Sequence, residues 1–386
     1  MRENKLVTLL AEDCVQVGDS LIFIAKDVNF VFSLNLDTGK VELIDSIPEE
    51  DVLAVRLGAS IAYWKNELIF TPMKAEKIWI YNLQTKEWRG LEREKIENGR
   101  NGKEMFQSIL YGNKLFLIGS NYPAIICLDL LTESMTYIKE PYVELKEKKE
   151  MLKDCYFRCD YAQKDNYIYL ASCLSNFVLK FDMDTCKYDW IKVGKDKNRY
   201  AGIKESDEGF WLAPRCNTAI VKWDGEKEIV EYSLPKTMDD GKFSFVGVVV
   251  NGDKIVFPGM SEPNTVIITD LEQGEMENVQ EQYLFYKKIN SGLVVSMTVN
   301  GEVKVYYPAG KINNYVCGIE KEKIVEYFRI KNFDIWKSCL CNDINENSIF
   351  DMVDFCDFVV EKRKMKSVSA KENYGEIIWG ELREGV

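Results

Sequence analysis

A chain of 386 residues carrying 62 acidic against 50 basic side chains has a formal charge of −12, which disfavours nucleic acid and anionic membrane surfaces as partners. Hydrophobic residues make up 46% and aromatics 12%, enough for a well-filled core, yet no apolar run is long enough to cross a bilayer. Histidine is absent, which excludes Ser-His-Asp and Cys-His nucleophiles, imidazole acid–base chemistry and His-ligated zinc, copper or iron. The opening Met1-Arg2-Glu3-Asn4-Lys5 lacks the apolar run of a signal peptide, so the expected location is the cytoplasm. Eleven cysteines, an odd count spread mostly over strand-like segments, read as reduced structural residues, and neither Cys155/Cys159 nor Cys339/Cys341 has zinc spacing. No cofactor and no metal site are expected.

In chain order, a polar tight-turn cluster followed at once by a short apolar strand occurs seven times. The turns are Val17-Gly18-Asp19-Ser20, Lys65-Asn66-Glu67, Gly112-Asn113-Lys114, Lys164-Asp165-Asn166, Asp207-Glu208-Gly209, Asn251-Gly252-Asp253 and Asn290-Ser291-Gly292. The strands after them open at Leu21, Leu68, Leu115, Tyr167, Phe210, Ile255 and Leu293, at intervals of 47, 47, 52, 43, 45 and 38 residues. A period near about 45 with four strands' worth of sequence per unit marks a β-propeller blade. The second half of each unit repeats as well: an alternating strand, an Asp/Asn-Thr-Gly type of turn, and another strand, as in Ile78 to Trp88 and Leu179 to Lys187. The expected fold is all-β, a seven-bladed propeller of four-stranded antiparallel blades over residues 1–330. The short final units leave six or eight blades open. Lys321 to Ile330 could add a strand, and Lys5 to Leu10 could close the ring against the last blade.

These repeats resemble degenerate kelch repeats of the galactose-oxidase-like propellers, most closely from Ile78 to Trp88. The paired glycines that usually end the second kelch strand are missing; the position reads Thr71-Pro72, Gly119-Ser120, Ala171-Ser172, Ala213-Pro214 and Pro258-Gly259. The resemblance implies architecture, and the copper chemistry of galactose oxidase cannot follow it into a chain without histidine. Charged links, Glu92 to Glu104, Glu140 to Lys153, Gly194 to Arg199 and Pro235 to Lys242, join the units, and Tyr142 to Met151 could form a short helix. In a propeller such links share a face with the turns between second and third strands, the usual ligand-binding side. Beyond residue 330 the pattern changes to a helical extension, 331–386, with Ser348 placed to cap a helix from Ile349 to Lys362. This ending resembles proteins from bacterial surface-polysaccharide loci.

Candidate site residues follow from position in the repeat. Arginine is scarce, 11 against 39 lysines, and Arg56, Arg158, Arg199 and Arg215 fall where they should face the ligand side, suited to carboxylate or phosphate. Asn29, Asn121, Asn176, Asn217 and Asn264 recur in the second-to-third strand turns, with Tyr122, Tyr161, Tyr200 and Tyr286 nearby; amides and aromatic faces suit sugars, although turn geometry and blade packing use the same residues. Asp13, Ser60 and Gln107 share one repeat position near the entrance of the inner strand, Asp160 lies one residue past it, and Glu262 sits in a turn. The ligand-binding set is therefore Arg56, Arg158, Arg199, Arg215, Gln107, Tyr161, Tyr200, Asn176 and Asn217. No complete catalytic set is visible. The leading expectation is a non-catalytic scaffold binding a glycan, a glycan precursor or a protein partner in bacterial surface-polysaccharide production. The alternative is a sugar-active enzyme, an epimerase or lyase on an acidic sugar, working through Arg, Tyr and carboxylates.

Overall fold

The structure is a computed structural model. It describes residues 6–327 except 51–53, 97–103, 148–154, 159, 216–218, 228, 235–244, 252–253, 260–264, 271–274, 290, 321–322 and 325. The expected C-terminal helix, Asn217, Glu262 and Asn264 lie outside the described residues.

Seven four-stranded antiparallel sheets follow one another along the chain, each built from four consecutive strands. Blade 1 comprises Ala11–Val17, Ser20–Ala25, Val31–Asn35 and Val41–Asp45, and blade 2 Gly58–Trp64, Glu67–Pro72, Ile78–Asn82 and Trp88–Leu91. Blade 3 comprises Met105–Tyr111, Lys114–Gly119, Ile125–Asp129 and Met135–Ile138, and blade 4 Ala162–Lys164, Tyr167–Ala171, Phe177–Asp182 and Tyr188–Lys192. Blade 5 comprises Tyr200–Ser206, Gly209–Pro214, Ile220–Trp223 and Ile229–Tyr232, blade 6 Val249–Asn251, Lys254–Phe257, Thr265–Asp270 and Glu275–Val279, and blade 7 Tyr283–Lys288, Val294–Thr298, Glu302–Tyr306 and Ile312–Val316. The seven-bladed, almost wholly β architecture read from the repeats is thus the observed one. The helix in the blade 3–4 link begins at Glu140, two residues early, and is described to Glu147.

Two turn chemistries set the blade shape. Between first and second strands, Lys65 and Asn66 both take positive φ, 43° and 67°, the twist a two-residue hairpin needs. Between third and fourth strands, a side-chain oxygen of Asn35, Asn82, Asp129, Asp182 or Asp224 accepts the amides two and three residues on, at 2.7–3.2 Å. This local bond satisfies the backbone where the chain reverses.

Apolar side chains from facing sheets fill the seams between blades. The blade 3–4 seam joins Ile109, Phe116 and Ile125 to Ile168, Leu179 and Phe181, with Phe116 and Phe181 edge to face at 5.7 Å. The blade 6–7 seam is much thinner: its cluster holds Val249, Val256 and Val294 as buried members among the described residues. Ring closure uses no shared blade. All four strands of blade 7 come from one stretch of chain, and the Tyr315 hydroxyl donates to the Leu36 carbonyl of blade 1 at 2.6 Å.

The chain divides into two compact units, Thr8–Cys317, which holds the blades, and Met1–Val7 with Gly318–Val386. Leu6–Thr8 pairs with Gly318–Glu320 as a two-stranded sheet, and residues 323–324 and 326–327 are helical, not the further strand that Lys321 to Ile330 could add.

Candidate functional site in the central channel

The first strands of the blades stand side by side around a central channel of 430 Å³. Five of them carry a β-bulge at the same place, between Ala11 and Asp13, Gly58 and Ser60, Met105 and Gln107, Tyr200 and Gly202, and Tyr283 and Phe285. A bulge inserts one residue and re-aims the side chains after it. Here it sets Asp13, Ser60, Gln107, Gly202 and Phe285 at one level, each opposite the penultimate residue of its second strand. Asp160 and Gly247 stand at that level too, four residues before the hairpin pairs of Lys164 and Asn251 as Asp13 is four before that of Val17. Asp160 is therefore level with Asp13, not one residue past it, because Tyr167 pairs with Lys164 as Ser20 pairs with Val17, so Tyr167 corresponds to Ser20 and not to Leu21.

Side chains along a strand alternate, so the residue two further on returns to the same face. At that second level most blades carry an aliphatic residue, Val15, Ala62, Ile109, Ala162 or Val249, but blades 5 and 7 carry Lys204 and Lys287. Each lysine meets an aspartate of a neighbouring blade. Lys287 Nζ lies 2.5 Å from Asp13 Oδ1, while Asp13 Oδ2 accepts the Ile61 amide at 3.1 Å. Lys204 Nζ lies 3.1 Å from Asp160 Oδ1 and donates to the Tyr161 carbonyl at 3.2 Å. Asp160 also accepts the Tyr161 amide at 2.9 Å and, reaching across to blade 6, the Val248 amide at 2.8 Å. Glycine makes this reach possible: a Cβ on Gly202 would fall 2.7 Å from Asp160 Cβ, and one on Gly247 would fall 2.8 Å from Asp160 Oδ2.

Burial works against every charge here. It pushes the Asp160 carboxyl above the ordinary carboxylate range, although Lys204 and the backbone amides pull the other way. It also opposes the charge on Lys204 and Lys287, but the facing aspartates outweigh it and both ammonium groups sit above the usual lysine value. The Cys14 thiol, deeply buried, is held well above the ordinary range and is inert as a nucleophile.

Of the expected ligand residues, the channel gathers Arg56, Gln107 and Tyr161. Arg56 has a left-handed backbone, φ 59°; its amide donates to the Lys26 carbonyl at 2.6 Å and its Nε to Glu12 at 2.8 Å. Arg158, Arg199 and Arg215 are not in the channel lining. Arg199 donates to the carbonyls of Asp196 and Asn198 at 2.9 and 2.6 Å, and its own carbonyl accepts the Arg215 amide at 2.8 Å, so these two arginines are neighbours elsewhere. Tyr200 is fully buried, its hydroxyl donating to the Val193 carbonyl at 2.7 Å, and Asn176 is buried with its amide on the Gly194 carbonyl at 3.0 Å. Asn29 closes its turn in the same way, bonding both polar groups of Ile47 at 2.8 Å.

The channel lysines were not singled out by the sequence reading, which weighed arginine because it is rare. The signal was a lysine at an inner-strand position where other repeats carry an aliphatic residue. Among the described lining residues are five cations, Lys26, Arg56, Lys204, Lys287 and Lys288, against three anions, Glu12, Asp13 and Asp160. The lining is net positive in a chain of net charge −12.

The fold and channel define a seven-bladed β-propeller with a cationic central channel. Neither a family model nor a curated protein sequence matches the chain. Among solved structures it is similar to a catalytically inactive variant of virginiamycin B lyase from Staphylococcus aureus with quinupristin, at TM-score 0.55 and 11% identity over 81% of this chain and 96% of that one. YCF48 from Cyanidioschyzon merolae is similar at TM-score 0.56 and 10% identity, covering 80% and 99%, and BamB from Moraxella catarrhalis at TM-score 0.50 and 12% identity, covering 81% and 90%. At these identities the likeness extends to the fold.

Proposed function

We propose that the chain is a non-catalytic propeller scaffold, built from degenerate kelch repeats, that holds a glycan or glycan precursor at its central channel and serves surface-polysaccharide production in the cytoplasm. The observation that carries this reading is the state of the channel carboxylates. Asp13 faces Lys287 and an amide, Asp160 faces Lys204 and two amides, and Glu12 faces Arg56. A carboxylate held against a neighbouring cation is a counter-charge, poorly placed to collect a proton from a substrate. Histidine, the commonest alternative base, does not occur in the chain. In the staphylococcal lyase a single histidine-to-alanine change accompanies the loss of catalysis, yet quinupristin is still held; a propeller can keep a ligand without turning it over.

Other features support the remaining parts. Tyr161, in the channel lining, offers an aromatic ring to a sugar. The resemblance of the chain's ending to proteins of surface-polysaccharide loci supports the pathway. The reading is tested by incubating the full chain with a uronate disaccharide and with a nucleotide-linked uronate under nuclear magnetic resonance. Saturation transfer to sugar protons with an unchanged sugar spectrum is the expected result. Signals of an epimer or an unsaturated uronate would establish the enzyme instead.

A further inference from the structure

We propose that the central channel is a binding site for a small molecule bearing a carboxylate or phosphate group, held between Lys204 and Lys287 with the Tyr161 hydroxyl as third donor. This rests on the scaffold reading and narrows it to one ligand chemistry and three residues.

An ammonium group has three N–H donors and no acceptor. Lys204 directs two at Asp160 and the Tyr161 carbonyl, and Lys287 directs one at Asp13. Among the described residues no other acceptor is bonded to them, which leaves one donor on Lys204 and two on Lys287. Both side chains are open to the channel, with relative exposures of 29% and 33%. Each aspartate already faces its own ammonium and at least one backbone amide, so the unmet donors beside them are those of the lysines. A hydroxyl donor joins them, because the Tyr161 side-chain oxygen has no bonded partner among the described residues while its ring lies 5.0 Å from Lys204 Nζ. Lys26, just after the second strand of blade 1, and Lys288, at the end of the inner strand of blade 7, add charge, and neither forms an ion pair among the described residues.

Position reinforces the count. Lys204 and Lys287 stand at one level on blades 5 and 7, close enough that the charge of Lys287 disfavours that of Lys204. An anion between them relieves that repulsion and supplies the missing acceptors. The channel volume of 430 Å³ is at the lower end of the roughly 300–1,000 Å³ typical of small-molecule sites, which fits one or two sugar rings.

The test is isothermal titration of the full chain, at low ionic strength, with inorganic phosphate, glucuronate and neutral glucose. Saturable binding of at least one anion and none of glucose is expected. Binding of glucuronate alone identifies a carboxylate ligand, and binding of phosphate alone a phosphorylated one. Lys204→Met should weaken the bound anion about tenfold or more, the worth of a hydrogen bond to a charged group. Tyr161→Phe, which leaves the lysine pairs intact, should weaken it by less. Asp160→Asn removes the counter-charge of Lys204 and should tighten binding several-fold, an outcome a purely structural role would not produce. Lys40→Met, on the exposed surface, should change nothing. The proposal fails if neither anion saturates, or if binding is indifferent to Tyr161→Phe and Asp160→Asn. That failure would leave the absence of turnover, and hence the scaffold reading, to its own experiment.

Discussion

Arg89 on blade 2 and Lys287 on blade 7 both face carboxylates, and they differ in what is left over. Arg89 gives Nη1 and Nη2 to Glu67 at 2.6 and 2.8 Å and Nε to Glu133 of blade 3 at 2.7 Å, so its planar fork joins two blades. Lys287 also ties two blades together, through Asp13, but with one donor of three. The outer cation completes a structural joint. The inner one leaves capacity facing an open channel. Scarcity of a residue type in the sequence therefore says little about ligand binding; the geometry that leaves donors unmet says more.

Substitutions can separate the two kinds of joint. Phe116→Ala, in the apolar seam between blades 3 and 4, should have the largest effect, a loss of about 3–5 kcal/mol from a fully buried ring. Denaturant unfolding measures it, and anion affinity of the folded fraction should stay the same. Gly247→Ala comes next. Its Cβ would press on Asp160, which three neighbours hold in place, so a loss of about 1–3 kcal/mol is expected together with altered anion affinity. A neutral melting temperature would show that Asp160 moves freely. Arg89→Ala should cost about 1 kcal/mol, since the arginine is partly exposed and solvent screens its pairs, and it should leave binding untouched. A change in affinity with this variant would erase the distinction between outer and inner cations.

The smallest effect under ordinary conditions is in pH. Lys204 and Lys287 are raised above the ordinary lysine value of 10.5 by their aspartates. Groups raised in the folded state bind protons more tightly there, so their contribution is complete below 10.5 and is lost as pH climbs through the folded values. Thermal melts should hold near neutrality, where no imidazole titrates, and fall on the alkaline side. In Asp160→Asn the part of that alkaline fall due to Lys204 should shrink. An equally steep fall in the variant would mean the pair contributes nothing.

Much of the fold was legible because its signals are local. The second strands begin within one residue of the expected Leu21, Leu68, Leu115, Tyr167, Phe210, Ile255 and Leu293, since tight turns and period-two alternation both act over a few residues. The Asx turns at Asn82 and Asp182 were readable for the same reason. The site was less legible because it depends on pairing. Only the hairpin register shows that Tyr167 corresponds to Ser20, which levels Asp160 with Asp13, and Lys204 and Lys287 are two among 39 lysines until the blades close around them. Tyr200 and Asn176 carried the right chemistry for a sugar, but their polar groups are taken up by Val193 and Gly194 in packing blade 4 against its neighbour.

The most direct measurement is a crystal structure of the full chain soaked with glucuronate and, separately, with phosphate. The account predicts anion density in the channel, within bonding distance of Lys204 and Lys287 Nζ and the Tyr161 hydroxyl, with the Asp13 and Asp160 pairs retained or relaxed around it. Anion density at Arg199 and Arg215 instead, with only solvent between the two lysines, would contradict it.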